Sequence, residues 1–201
     1  MTLRYAAAVC AVLCVAAPTA AQSADAQQER AAAVKYLEET RQAFLASVAN
    51  VTDGQWTFRS APGSWSIAEV AEHIAITEST VPGLIAEKMM QAPPKTPGEG
   101  MTDKRLIAGV TDRSEKAQAP EMLKPVNKWA TKDALVRDFN ASRDKTIEWV
   151  KTTPGDLRAH AAPHPVFGAL DVHQWILLLA GHSARHTAQI EEVKTTAAYP
   201  K

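Results

Sequence analysis

The chain has 201 residues, 46% of them hydrophobic, with 22 basic side chains balanced by 22 acidic ones. That balance supplies no basic field for nucleic acid or anionic lipid, so a small molecule is the expected ligand. Both cysteines, Cys10 and Cys14, lie at the extreme N-terminus. The globular part therefore has no disulfide, no thiol nucleophile and no thiolate metal ligand.

Residues 1–26 read as a secretory signal peptide. Arg4 provides the positive start, Tyr5 to Ala17 the apolar stretch, and the small residues around Ala17-Pro18-Thr19-Ala20-Ala21 and Ala24-Asp25-Ala26 the cleavage sites, expected between 21 and 26. The apolar stretch is shorter than the roughly 20 residues a membrane-spanning helix needs. Val9 and Leu13 precede the two cysteines, where a lipoprotein site would place a small residue. The mature chain, residues 27–201, is thus expected to be exported, periplasmic or extracellular, without a stable membrane anchor. Its length suits one domain with a sizeable core.

Four amphipathic helices follow in order. The first is expected from about Gln28 to Ala49, with Val34, Leu37, Phe44, Leu45 and Val48 on one stripe, and ends at Asn50-Val51-Thr52-Asp53-Gly54. The second starts at Ser66, an N-cap with Glu69 at the capping-box position and Trp65 and Val70 as the hydrophobic staple. Val70, Ile74, Val81 and Leu84 form its stripe, with His73 at the margin, and Pro82 is expected to kink or end it. The third begins near Thr131, carries Leu135, Phe139, Ile147 and Trp149 or Val150, and stops at Pro154-Gly155. The fourth repeats the signature of the second, with Asp171 as N-cap, Gln174 at the box position and Leu170 with Trp175 as the staple.

Between the second and third helices, residues 92–130 hold prolines at 93, 94, 97, 120 and 125. So long a connection suggests a functional lid or a crossover covering one end of the bundle, with Leu106 to Val110 as a short helical turn. Strand-like alternation is scarce. The expected fold is all-α, an up-and-down four-helix bundle with a long loop between helices 2 and 3.

The fourth helix carries Gly181-His182-Ser183-Ala184-Arg185-His186-Thr187-Ala188-Gln189. A spacing of four puts both imidazoles on one face of a helix that is otherwise apolar. His160 and His164 share that spacing, but Pro163 and Pro165 exclude a helical turn there, so spacing alone proves little. Two separately hydrogen-bonded core histidines would be the bland reading of His182 and His186. A shared metal ion is the other. Zinc-type sites that do chemistry commonly use three protein ligands, and His73, the one histidine inside another expected helix, is the candidate third.

The segment Trp56-Thr57-Phe58-Arg59-Ser60-Ala61-Pro62-Gly63-Ser64-Trp65-Ser66-Ile67-Ala68-Glu69-Val70-Ala71-Glu72-His73-Ile74 resembles the first signature of the DinB-like superfamily (DinB/YfiT type). Phe167 to Leu170, Trp175 and His182 to Gln189 resemble the second. The two lie in the expected order, and the resemblance covers most of the mature chain. It implies an up-and-down four-helix bundle holding a divalent metal by His73, His182 and His186. Zinc or nickel suits three imidazoles first, with iron, manganese or copper also accommodated.

For activity, the resemblance implies either a metal-dependent hydrolase acting on a small molecule or a thiol-dependent transferase. A non-catalytic metal-binding or stress-associated module is the third reading. Export favours the hydrolase, because the small cytosolic thiols of the transferase branch are not expected outside the cytoplasm. A bundle of this size can also form a homodimer through an exposed helix face.

The remaining polar residues have plainer expectations. Glu69 belongs to the capping box and Glu72 to solvent, although Glu69, Glu72 and Glu78 are each near enough to His73 to orient a ligand or act as a base. Gln189, one turn past His186, suits either a metal-bound water or a backbone group. Arg185 is expected to pair with a surface carboxylate and His173 to cap the helix or face solvent. His160 and His164 are possible substrate-side contacts at one mouth of the bundle, and Trp56 or Trp129 can line a pocket.

Overall fold

Four long helices carry most of the chain in the computed structural model, which describes residues 20–201 apart from Ala117. Residues 1–19 of the expected signal peptide lie outside the described residues. The first helix, α1, runs Ala20–Ala49 and so begins before the expected Gln28; Ala, Gln, Glu and Arg dominate its opening turns, and all are strong helix formers. A single turn, α2 (Asp53–Trp56), follows behind a Thr52–Gln55 capping box.

The caps expected from sequence are the caps observed. Helix α3 (Ile67–Glu87) starts at Ser66, whose hydroxyl accepts the Glu69 N–H while Glu69 accepts the Ser66 N–H. Helix α3 runs on through Pro82, and beyond that proline its buried residue is Ile85 rather than Leu84. Helix α5 (Lys132–Thr152) starts at Thr131, and helix α6 (Val172–Lys194) at the reciprocal Asp171–Gln174 box.

The connection between α3 and α5 is more ordered than a loop. After a 3₁₀ turn at Met89–Gln91 it forms helix α4 (Asp103–Thr111), capped by Thr102, with Leu106 and Val110 buried against α6. What was expected to be a short turn is thus a full amphipathic helix. At Gly181 of α6 a Cβ would lie 2.9 Å from a Val110 methyl, so the absence of a side chain there permits the close approach of α4. A second 3₁₀ turn, Glu121–Leu123, precedes α5.

Between α5 and α6, where no strand is expected, lies a small antiparallel hairpin, β1 (Ala161–His164) paired with β2 (Gly168–Asp171). Only four residues long and containing Pro163, β1 gives no usable alternation. Gly168, at φ 70°, closes the turn in a conformation glycine adopts freely.

The fold is an up-and-down four-helix bundle in which α1 packs chiefly on α5 and α6, and α3 packs on the same two. Consecutive members of the bundle, α1 with α3 and α5 with α6, are therefore diagonal partners. Their connections must cross a bundle end, which the segments holding α2 and the hairpin do. No helix among the described residues is long and apolar enough to cross a membrane.

Two apolar clusters fill the interior. One holds Leu37, Ile85, Leu106, Ile147, Val150, Leu170 and Ile176; the other holds Phe44, Val48, Ile67, Val70, Ile74, Phe139 and Ile190. Along every long helix the polar residues Thr40, Glu78, Arg143, Thr146 and Ser183 fall between those clusters, and all five are buried. Arg143 and Glu78 side chains have no exposed surface and make a two-pronged ion pair at 2.8 and 2.7 Å. Arg143 also donates to the Leu37 carbonyl, the Thr40 hydroxyl and the Ser183 hydroxyl, so one guanidinium bonds α1, α3 and α6 from α5.

Glu78 therefore has no free oxygen pair to offer as a base. Removing one member of a buried pair strands the other charge, so Glu78→Ala should cost about 3–5 kcal/mol of stability. Glu39→Ala, which breaks the exposed Lys35–Glu39 pair, should be close to neutral. Equilibrium urea denaturation of both variants checks this, and similar small effects would refute the stated role of the buried pair.

Candidate metal centre

His73 leaves α3 one turn after the Glu69 cap, and His182 and His186 leave α6 on successive turns. Because α3 and α6 are neighbours in the bundle, the three rings meet. Their centroids lie 4.7, 4.5 and 4.4 Å apart, and one ring nitrogen of each falls within 4.8 Å of the other two. His73 is buried, at 2% exposure, rather than at the stripe margin; His182 and His186 are half-buried. The Trp65 ring, next to the helix cap, lies 5.1 Å from the His73 ring and closes that side.

Outer partners decide which nitrogens face inward. His73 Nδ1–H donates to the Leu123 carbonyl at 2.7 Å and His186 Nδ1–H to Gln189 Oε1 at 2.8 Å, leaving Nε2 of each ring as the lone-pair nitrogen. His182 Nε2 lies 2.9 Å from His73 Nε2, while its own buried Nδ1 has no hydrogen-bond partner among the described residues. Without a cation, His182 Nε2–H must donate to His73 Nε2; with one, both nitrogens present lone pairs to it.

Burial lowers the pKa of all three rings: His73 below its ordinary value, His182 well below it and His186 to about 3. The neighbouring imidazoles add to the shifts of His182 and His186, and Arg185 adds a smaller part. Three neutral imidazoles with converging nitrogens are the donor set that Zn²⁺ and its first-row neighbours take. The trio therefore fits a divalent metal ion, and within it no carboxylate or fourth histidine takes part among the described residues.

Several neighbours differ from their expected roles. Glu72 is 5% exposed instead of solvated: its carboxylate accepts the backbone N–H groups of Val126, Asn127 and Lys128 at 2.8–3.1 Å. Glu69 keeps its capping role and also pairs with Arg59. Gln189 holds His186 from outside and lies 3.5 Å from Arg113, which pairs with Glu192 through two hydrogen bonds.

Among the described residues, Arg185 pairs with no carboxylate. It donates to the carbonyl of Asp112, the C-cap of α4, and to that of Glu115 in the segment beyond. His173 is buried at 3% because α1 and α4 cover that end of α6, and its Nε2–H donates to the Glu29 carbonyl.

His160 and His164 stay away from the trio. His160 bonds the Ala92 carbonyl, and His164 Nδ1 accepts the N–H groups of Val166 and Phe167 within the hairpin turn. Trp56 and Trp129 pack against the second apolar cluster, and the Trp129 indole donates to Asp138.

Acid should destabilise the metal-free protein through this trio. Above about pH 6.5 the rings are neutral both folded and unfolded; below it the unfolded chain gains protons that the folded rings refuse, down toward pH 3 for His186. Stability is thus expected to fall as pH drops from about 6.5 to 5, with each such ring contributing up to about 1.4 kcal/mol per pH unit. Thermal melts of the metal-free chain beside His182→Asn/His186→Asn test it. An equal pH slope in both would remove the rings as the cause.

Comparison with known proteins bears on the family and the fold. The DinB superfamily model matches residues 36–190. The protein YuaE of Bacillus subtilis (strain 168), itself described as uncharacterized, is 28% identical over 130 residues, covering 65% of this chain and 77% of its own. Among solved structures, YfiT from Bacillus subtilis, described as a probable metal-dependent hydrolase with an unusual four-helix bundle topology, superposes with a TM-score of 0.56 at 15% identity over 92% of each chain. TT2238, described as a four-helix bundle protein, gives a TM-score of 0.48 at 23% identity over 81% of this chain and 98% of its own.

Proposed function

The chain belongs to the DinB superfamily, and from that footing we propose that it is an exported metal-dependent hydrolase acting on a small molecule, with His73, His182 and His186 as its metal ligands. One observation carries the reading: three neutral imidazole nitrogens converge within 4.8 Å, and no further acidic or histidine donor joins them among the described residues. Three protein ligands are the usual complement of zinc sites that do chemistry, where structural sites are closed by four. A divalent ion held there supplies Lewis-acid polarisation of a substrate oxygen and a nucleophile drawn from water at neutral pH.

The chain's own residues supply orientation and exclusion of water. Leu123 and Gln189 fix the ring faces of His73 and His186, and Trp65 covers His73. Glu69, Glu72 and Glu78 are committed to a cap, a backbone cradle and a buried ion pair, so none serves as the general base. That these three carboxylates are committed also suits a second reading, a thiol-dependent transferase, since a metal held by the three histidines would supply the acidity that ionises a thiol. Export favours the hydrolase and rests on Arg4, the apolar run to Ala17 and the small residues after it. YfiT, described as a probable metal-dependent hydrolase, points to the same reaction class.

Metal analysis of the purified mature protein should find one equivalent of divalent metal, lost in each of His73→Ala, His182→Ala and His186→Ala. Hydrolysis of a panel of small esters and amides should require that metal and disappear in His182→Ala. Full activity of the metal-free protein would overturn the hydrolase; a thiol-induced change in the cobalt spectrum together with no hydrolysis would select the transferase.

A further inference from the structure

We propose that Glu72 is a positioning residue for the metal centre: it holds the strap of residues 120–128 over α3 so that the Leu123 carbonyl meets His73, and strap and metal site therefore stabilise one another. The inference rests on the three-histidine centre holding a divalent ion, and not on the reaction carried out there.

The strap has almost nothing else to hold it. None of residues 120–128 is buried, and the side chains of Met122 and Val126 are 62% and 69% exposed. Leu123 and Pro125 are only half-buried. Within it the 3₁₀ turn closes on itself, with Leu123 N–H donating to Pro120 and Lys124 N–H to Glu121. Among the described residues, its hydrogen bonds to α3 go to two consecutive side chains. Glu72 accepts from Val126 at 2.9 Å, Lys128 at 2.8 Å and Asn127 at 3.1 Å, and His73 donates to Leu123 at 2.7 Å.

Asn127, at φ 59°, is the sole non-glycine residue with positive φ among the described residues. That left-handed step turns three successive N–H groups toward one point, a cradle for an anion, and the anion is the Glu72 carboxylate. A carboxylate accepting several backbone N–H bonds is a strong, directional anchor. Without it three amides lose their acceptor, and the strap, none of whose residues is fully buried, keeps only the His73–Leu123 hydrogen bond to α3 among the described residues. The Leu123 carbonyl in turn makes Nδ1 the protonated nitrogen of His73 and Nε2 the one that faces His182. Loss of such an outer partner typically lowers metal affinity 10–100-fold. Linkage makes the effect reciprocal, so a bound ion must also steady the strap.

The test uses the mature chain with Zn(II) and Co(II). Glu72→Ala is expected to weaken zinc binding about 10–100-fold in chelator competition and to alter the visible spectrum of the cobalt form, neither of which a loss of stability alone would produce. Glu72→Gln, which keeps an acceptor oxygen, should recover part of the affinity. In the unmodified chain, zinc should slow amide exchange at Val126, Asn127 and Lys128, a reading that holds even if Glu72→Ala fails to fold. Unchanged zinc affinity in a folded Glu72→Ala, or exchange at those amides indifferent to zinc, overturns the inference while leaving the metal centre standing. Failure of the unmodified chain to bind zinc overturns both.

Discussion

A guanidinium withdrawn from water costs several kcal/mol unless each of its donors is met, and here the acceptors come from three helices other than its own. Arg143 on α5 reaches Glu78 on α3, Leu37 and Thr40 on α1, and Ser183 on α6. Apolar packing on either side tolerates sliding of a helix by a fraction of a turn; a two-pronged ion pair with further hydrogen bonds does not. The polar layer consequently sets the relative height of α3 and α6. His73 lies five residues before Glu78, and His182 directly precedes Ser183, so the register fixed by Arg143 is the register in which the three imidazoles meet.

Around that framework the metal-binding face is assembled from weaker pieces. Helix α4 docks on α6 through Val110 at Gly181, and Arg185 ties α6 to the segment following α4. Gln189 turns His186, Leu123 turns His73, and His182 sits between them with no outer partner among the described residues. Burial keeps all three rings neutral, which is the state a metal ion takes up. The connection between α3 and α5 thus does more than join two helices: one part of it packs against the helix that bears His182 and His186, and another orients His73.

The features legible in the sequence are those with a local signature. Ser66 with Glu69, Asp171 with Gln174, and Thr131 mark helix starts because caps act within four residues. The His182–His186 spacing acquires meaning from the capped apolar helix around it, and Pro163 and Pro165 disqualify the rival pair at 160 and 164. The features that escaped depend on contacts distant in the chain. Glu72 looks like a surface residue because its partners are backbone N–H groups, which leave no mark in a sequence. The diagonal arrangement of α1 and α3 is likewise silent. Arg143 did leave a trace: it stands at the spacing of Phe139 and Ile147 on the apolar stripe of α5, as Glu78 does after Ile74 on α3, and opposite charges on two buried stripes are a signal of pairing. The helix at 103–111 was partly visible through Leu106 and Val110, and Thr102 before Asp103 was its unread cap.

That His73, His182 and His186 hold a divalent ion between two helices is the proposal that zinc X-ray absorption on the metal-loaded chain tests most directly. The expected spectrum has nitrogen scatterers at about 2.0–2.1 Å with the outer-shell pattern of three imidazole rings. A shell dominated by carboxylate oxygen, or one carrying fewer than three imidazole rings, would show that the His73, His182 and His186 cluster is not the metal site.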